Sequence, residues 1–356
     1  MKHMTLYRIT VSTLLTLALA APAGAQFGNL GKKLGQAAKA VDDLTFTDAE
    51  ETQLGSEISV KLRDKYGVVQ DKAVHRYVTL VGTVLAQASS RPNLKWTFIV
   101  LDTDGINAFA APGGFVHITR GALALMQSEA ELADVLGHEI THVTAKHTLS
   151  AITKSKAIST GAQASRSQVL SQAADRGYEM LLENNFNRGD EMEADKVGVT
   201  LASSAGYAPT GLGAFLTRLS ERNKNLKDRS GMFASHPETQ ARLDALKKVI
   251  AGGNLKASAT VSARYGQAIS YQPATLVGSG EGTTVAAPAK PSGSGKLGLG
   301  GLARLGSEKS NDQTVSSAGS RGVNPDRDAK GGPIKTLVPV SVTAAEVTQF
   351  KAGIAG

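Results

Sequence analysis

The chain has 356 residues, of which 41% are hydrophobic and none is cysteine; this allows a sizeable core and excludes both disulfides and an acylated cysteine. Its formal charge of +8 comes from basic residues scattered among acidic ones, and aromatics make up only 5%, so no stacking platform for single-stranded nucleic acid is expected. Core burial, with the help of a bound metal, must hold such a fold.

Residues 1–25 read as a secretory signal peptide: Lys2 and Arg8 flank the start of an apolar run from Ile9 to Ala21, and Ala23-Gly24-Ala25 is a small-x-small cleavage site. A membrane anchor is the alternative, but the run is roughly a dozen residues where a span needs about 20. Residues 26–43 form a flexible or weakly amphipathic segment. Thr47-Asp48-Ala49-Glu50 reads as a capping box opening a helix on Leu54, Ile58 and Leu62. A second helix is expected over 71–88 on Val74, Val78, Val81 and Leu85. Lys95–Leu101 and Phe115–Thr119 read as strands, separated by Asn107-Ala108-Phe109-Ala110 and the turn formers Pro112-Gly113-Gly114. Ser128-Glu129-Ala130-Glu131 is a second capping box, starting a helix expected to run to about His147. Residues 148–187 look like one or two helices, and another spans about Asp190 to Ser204, stopping near Gly206 before Pro209.

The pattern is α+β, mainly helical, with a small mixed β-sheet and a low-complexity C-terminal tail. The main domain is expected over 44–250, followed by a short extension at 251–285. A Gly/Ser/Ala/Pro-rich linker at 286–332 is expected to be disordered, and a short segment at 333–356 regains Val and Leu. After the signal, no run is long enough to span a membrane.

His138-Glu139-Ile140-Thr141-His142 puts two imidazoles one turn apart, about 6 Å along a helix axis, where both can converge on one tetrahedral ion. Glu139 points to the same side, as a general base for metal-activated water. Taken alone, the pattern is also compatible with exposed helix histidines. A third protein ligand is needed, and Glu191-Met192-Glu193-Ala194-Asp195 supplies Glu191, with Asp195 on the same face to accept the outer N–H of a ligand histidine. Glu193 falls on another face. An acidic helix start also suits the macrodipole; beside the histidine pair, the ligand reading is preferred. His147 falls about 140° around the helix from His142 and is expected at the surface. His75 and His117 have no partner pattern and read as structural or surface residues. Ala145 and Thr148 stand where a metzincin would need Gly and His.

With Ser235-His236-Pro237 and Arg242 added, this spacing resembles one gluzincin family, that of HtpX and the CAAX prenyl endopeptidases, over about residues 45–250. The signal and the lack of membrane helices make the chain similar to its periplasmic branch, of which BepA and LoiP are members. The resemblance implies a zinc-dependent endopeptidase with one Zn2+ on His138, His142 and Glu191, Glu139 as base, and His236 and Arg242 as catalytic groups serving the oxyanion. It also implies a substrate-binding edge strand at Asn107, Ala108, Phe109 and Ala110 with Gly113 and Gly114, whose glycines permit close backbone approach; an ordinary hairpin turn is the alternative. Implied with these are a periplasmic location, unfolded or misassembled envelope polypeptides as substrates, outer-membrane assembly machinery as a partner, and no nucleic acid. BepA-like members carry a helical-repeat domain after the protease where this chain has its Gly/Ser-rich tail, so a shared docking partner does not carry over. A periplasmic chaperone or adaptor with a gated or structural zinc site is the first rival reading, and a cell-wall-associated structural protein the second.

Overall fold

Thr47 caps the first described helix: its hydroxyl accepts from Glu50 N at 3.3 Å, and the Glu50 carboxylate accepts from Thr47 N at 2.9 Å. This reciprocal cap satisfies donors that the first helical turn leaves open. The computed structural model describes residues 46–155, 165–183, 186–223, 239–273 and 332–354, all within one compact unit. The signal peptide, the 26–43 segment, nearly all of the 286–332 linker and His236 lie outside the described residues.

Helix α1 (Asp48–Tyr66) buries Leu54, Ile58 and Leu62, and α2 (Lys72–Ala88) is capped by Asp71 and buries Val74, Val78, Val81 and Leu85. Strands β1 (Thr97–Leu101), β2 (Ala108–Ala111) and β3 (Phe115–Thr119) make a mixed sheet in the order β1-β3-β2. β3 pairs parallel with β1, Ile99 facing His117, and antiparallel with β2, Phe109 facing the same histidine. Between β2 and β3 a 3-10 turn at Pro112–Gly114 holds Gly113 at φ 71°, with its N–H on the buried Glu51 carboxylate at 3.1 Å. A Cβ on Gly113 would stand 2.6 Å from Thr52 Cα, so the glycine makes room for the backbone of α1.

The short α3 (Arg120–Leu125) leads to α4 (Glu129–Thr144), in which every residue from Glu129 to Val143 is buried. Ser128 caps α4 by accepting from Glu131 N, while the Glu131 carboxylate turns to Gln127 N and Arg218, so half of the expected capping box is redirected. α5 (His147–Lys154), α6 (Arg166–Glu183), α7 (Arg188–Ala205), α8 (Gly211–Asn223) and α9 (Thr239–Gly252) follow. α2 packs on β1, while α4 packs on β2 and β3 and also against α7 and α8. No helix among the described residues is long and apolar enough to cross a membrane.

α10 (Ser262–Ala268) and α11 (Ala344–Ala352) complete the unit. Ahead of α11, the chain lies along the first two helices: Val68 N donates to Ile334 O at 2.6 Å, and Arg63 and Arg76 donate to Lys335 O and Ser341 O. Glu129, fully buried at the start of α4, accepts from Tyr77 and Tyr207 hydroxyls at 2.7 and 2.6 Å and pairs with Arg264. Arg264 in turn stacks over the Phe350 ring of α11.

His117 is structural: it is wholly buried at the centre of the sheet, with Nε2 2.9 Å from Ser59 Oγ. Burial pushes its pKa down from 6.5 to about 3. Between those values the unfolded chain takes up a proton that the folded one refuses, so stability is full above pH 6.5 and falls as pH drops toward 3. The expected slope is about 1.4 kcal/mol per pH unit. Urea unfolding between pH 7 and 4 should therefore be distinctly less pH-dependent in His117→Gln, which keeps a partner for Ser59; equal slopes would exonerate this histidine.

Candidate metal centre

Two glycines set the site. Gly137 on α4 and Gly198 on α7 face each other so closely that a Cβ on Gly198 would stand 2.6 Å from His138 N, and one on Gly137 would stand 2.7 Å from Gly198 O. The two helices therefore touch backbone to backbone. Asn187 caps α7 through Asp190 N at 3.1 Å, which leaves Asp190 at the rim and turns Glu191 inward.

From these helices His138, His142 and Glu191 converge, all three at most 2% exposed, with one ligand atom from each lying within 4.8 Å of the others. The two Nε2 atoms are 3.0 Å apart; His142 Nε2 is 3.4 Å from Glu191 Oε1 and His138 Nε2 is 3.7 Å from Glu191 Oε2. Tetrahedral zinc, with bonds of about 2.0–2.2 Å, needs neighbouring ligand atoms roughly 3.3–3.5 Å apart. These separations, the last two taken to different oxygens of one carboxylate, lie near that edge length, so small side-chain adjustments would let the trio hold a single ion.

His138 Nδ1 stands 3.0 Å from Asp195 Oδ1. Asp195 is gripped by Arg242 of α9, Nε to Oδ2 at 2.8 Å and Nη2 to Oδ1 at 2.6 Å, while Arg242 Nη1 lies 3.4 Å from Glu191 Oε2. Burial works against the Asp195 carboxylate, but Arg242 and His138 outweigh it and bring its pKa down to about 2. Burial also opposes the Arg242 charge, yet Asp195 foremost, then Glu191 and Glu139, raise its pKa. Glu139, one residue along from His138, is 1% exposed and near enough to this cation to interact with it electrostatically.

Of the proposed substrate strand, Asn107, Ala108, Phe109, Ala110, Gly113 and Gly114 are all buried; β2 is an edge of the sheet, and Thr148 Oγ1 donates to Ala110 O at 3.0 Å. His147 is not at the surface: it is 4% exposed and its Nδ1 lies 3.0 Å from His142 Nδ1. The 140° separation assumed an unbroken helix, whereas α4 stops at Thr144 and Lys146 takes a left-handed φ of 58°. Phe186, whose ring centroid is 4.3 Å from that of His142, is a further neighbour that no motif announced.

The profile of Peptidase family M48 matches residues 72–250, half of the chain. The chain belongs to peptidase family M48. Within this family it is similar to the "Putative beta-barrel assembly-enhancing protease" of Vibrio cholerae, at 28% identity over 56% of this chain and 44% of the relative. The "Beta-barrel assembly-enhancing protease" of Escherichia coli K12 is 25% identical over 66% of this chain and 50% of the relative. "Metalloprotease LoiP" of the same organism is 24% identical over 70% of this chain and 98% of the relative. The chain thus spans half or less of the length of the two assembly-enhancing relatives. The M48 match contains α4, α7 and the start of α9 with Arg242, that is, every described side chain of the metal centre.

Proposed function

We propose that this M48 chain is a zinc endopeptidase that hydrolyses unfolded or misassembled polypeptides of the cell envelope, working in the periplasm. The observation that carries the reading is the buried convergence of His138, His142 and Glu191 with Glu139 alongside. Two imidazoles and a carboxylate are the donor set of catalytic zinc sites, which leave one position open. When bound, the ion supplies a Lewis acid that polarises the scissile carbonyl and lowers the pKa of water to about 7.

The chain's own groups do the rest. Asp195 accepts the Nδ1 proton of His138, which leaves that histidine's Nε2 lone pair directed at the centre of the trio. Arg242 pairs with Asp195 and stands beside Glu191, which offsets part of the repulsion between the two buried carboxylates. In this reading Arg242 positions the site, its guanidinium engaged with Asp195 rather than reserved for an oxyanion. Glu139 takes a proton from the attacking water at its carboxylate and delivers it to the departing amine nitrogen. His236 remains the family-implied candidate for the oxyanion.

The substrate class rests on the printed names of the two assembly-enhancing relatives; β2 is an edge by strand order, but its residues are buried and Ala110 O is held by Thr148, so backbone addition there requires that cover to move. Purified protein should cut casein or a urea-denatured outer-membrane protein and lose that activity on chelation, with zinc restoring it. The same outer-membrane protein, once folded in detergent, should be cut at least about tenfold more slowly, since folded backbone is already paired. Equal rates on both forms would defeat the substrate assignment, and cleavage indifferent to chelation would defeat the metal.

A further inference from the structure

Why is a histidine that helical spacing puts on the far side found against the metal centre? After α4 ends, Lys146 in its left-handed conformation reverses the chain. The reversal is held from outside: Lys146 Nζ is 3.1 Å from Glu51 Oε2, and Thr148 Oγ1 is tied to Ala110 O. His147 then meets His142 edge-on, ring centroids 4.9 Å apart at 76°, with the two Nδ1 atoms 3.0 Å apart. Its other nitrogen, Nε2, looks outward toward Glu193 Oε2 at 3.5 Å and Asp190 Oδ1 at 3.9 Å.

Two Nδ1 atoms at that distance share one proton. If His142 offers its Nε2 lone pair to a metal, its proton sits on Nδ1. His147 must then accept at Nδ1 and carry its own proton on Nε2, the nitrogen that faces the carboxylates of α7. Metal-ligating histidines almost always donate their outer N–H to such a partner. Asp195 serves His138 in this way at 3.0 Å; His147 occupies the equivalent place behind His142. It meets the edge of His142 opposite Nε2, the nitrogen that faces Glu191, so it backs a ligand instead of being one.

We infer that His147 is a positioning residue of the metal centre, accepting His142 Nδ1–H and so fixing that ligand's tautomer and ring plane, with the nearby negative charges of Glu193 and Asp190 favouring a proton on its own Nε2. The inference rests on the reading of His138, His142 and Glu191 as metal ligands. It makes the site two-armed, one arm ending in the Asp195–Arg242 pair and the other at the entrance to α7.

The test is zinc affinity of the purified full chain, measured by competition with a chromophoric chelator, for wild type, His142→Ala, His147→Asn and His147→Leu. The Asn side-chain oxygen can stand where Nδ1 stood and accept the same proton; Leu cannot. His147→Leu is expected to weaken zinc binding about 10–100-fold, the usual cost of an outer partner, and His147→Asn to recover most of that loss. The visible spectrum of the cobalt(II)-loaded protein should shift in the Leu variant and stay near wild type in the Asn variant, while the two unfold alike without metal. If the leucine variant does not fold, His147→Ala removes the acceptor without its bulk. Zinc bound equally by wild type and His147→Leu, or lost equally in the Leu and Asn variants, overturns this inference alone. A wild type that takes up no zinc, or a His142→Ala variant that binds it undiminished, overturns the ligand reading as well.

Discussion

Glu139→Gln is expected to lower hydrolysis of a denatured substrate by roughly 10²–10⁴-fold, the usual contribution of a general base, with zinc content and unfolding temperature unchanged. The amide has the shape of the carboxylate and still donates and accepts hydrogen bonds, but it takes up no proton at neutral pH. Position supports the assignment: Glu139 lies one residue along α4 from His138, 1% exposed, and near enough to Arg242 to add to its raised pKa. Steady-state cleavage assays paired with metal analysis decide the matter. Unreduced cleavage removes Glu139 from the mechanism. Protection of unfolded protein from aggregation that survives intact in the variant would show a chaperone activity separate from the peptidase.

Gly198→Ala is expected to damage the metal centre by prising apart the two helices that carry its ligands. Its Cβ would meet Gly137 C at 2.8 Å, His138 N at 2.6 Å and His138 Cα at 2.9 Å, all main-chain atoms of α4 that no rotamer change can move. Carbon atoms settle about 3.5–4.0 Å apart, so the helices must separate by roughly 1 Å. A functional constellation tolerates only about 0.5 Å of misplacement, and Glu191 rides on α7 while both histidines ride on α4. A stability loss of about 1–3 kcal/mol should therefore come with zinc affinity weakened roughly tenfold or more. Gly213→Ala is the control, since its Cβ meets only Leu243 Cδ2 at 3.8 Å; it should be neutral or slightly stabilising. Calorimetry with and without zinc separates the two effects, and a Gly198→Ala protein that binds zinc like wild type would show that the helix contact is not what places the ligands.

The parts legible in the sequence are those whose causes are local. Thr47 and Glu50 cap their own helix, and the helices on Leu54, Ile58 and Leu62 and on Val74, Val78, Val81 and Leu85 bury those stripes as expected. The side chains of His138, His142 and Glu191 follow from helix geometry once their two helices meet. α8 is equally legible, with Leu212, Phe215, Leu216 and Leu219 all buried at helical spacing. What could not be read depends on distant residues. Neither Gly nor Pro announces the reversal at Lys146, which leans on Glu51 nearly a hundred positions earlier, so an extrapolated helix misplaced His147. Nor does either Gly137 or Gly198 name the other as its neighbour. β2 has small residues and no alternation, so it rested on family likeness, and only the register with β3 makes it a strand.

The main-chain bond from Val68 to Ile334 and the side-chain bond from Arg63 to Lys335 O, with the Arg264–Phe350 stack beyond them, anchor residues 332–354 on the body built by residues 46–273. A single nick anywhere in the intervening stretch would accordingly yield two pieces that travel as one particle through a sizing column and come apart only in denaturant. A reporter fused after Gly356 would stay beside the peptidase rather than trail on a leash.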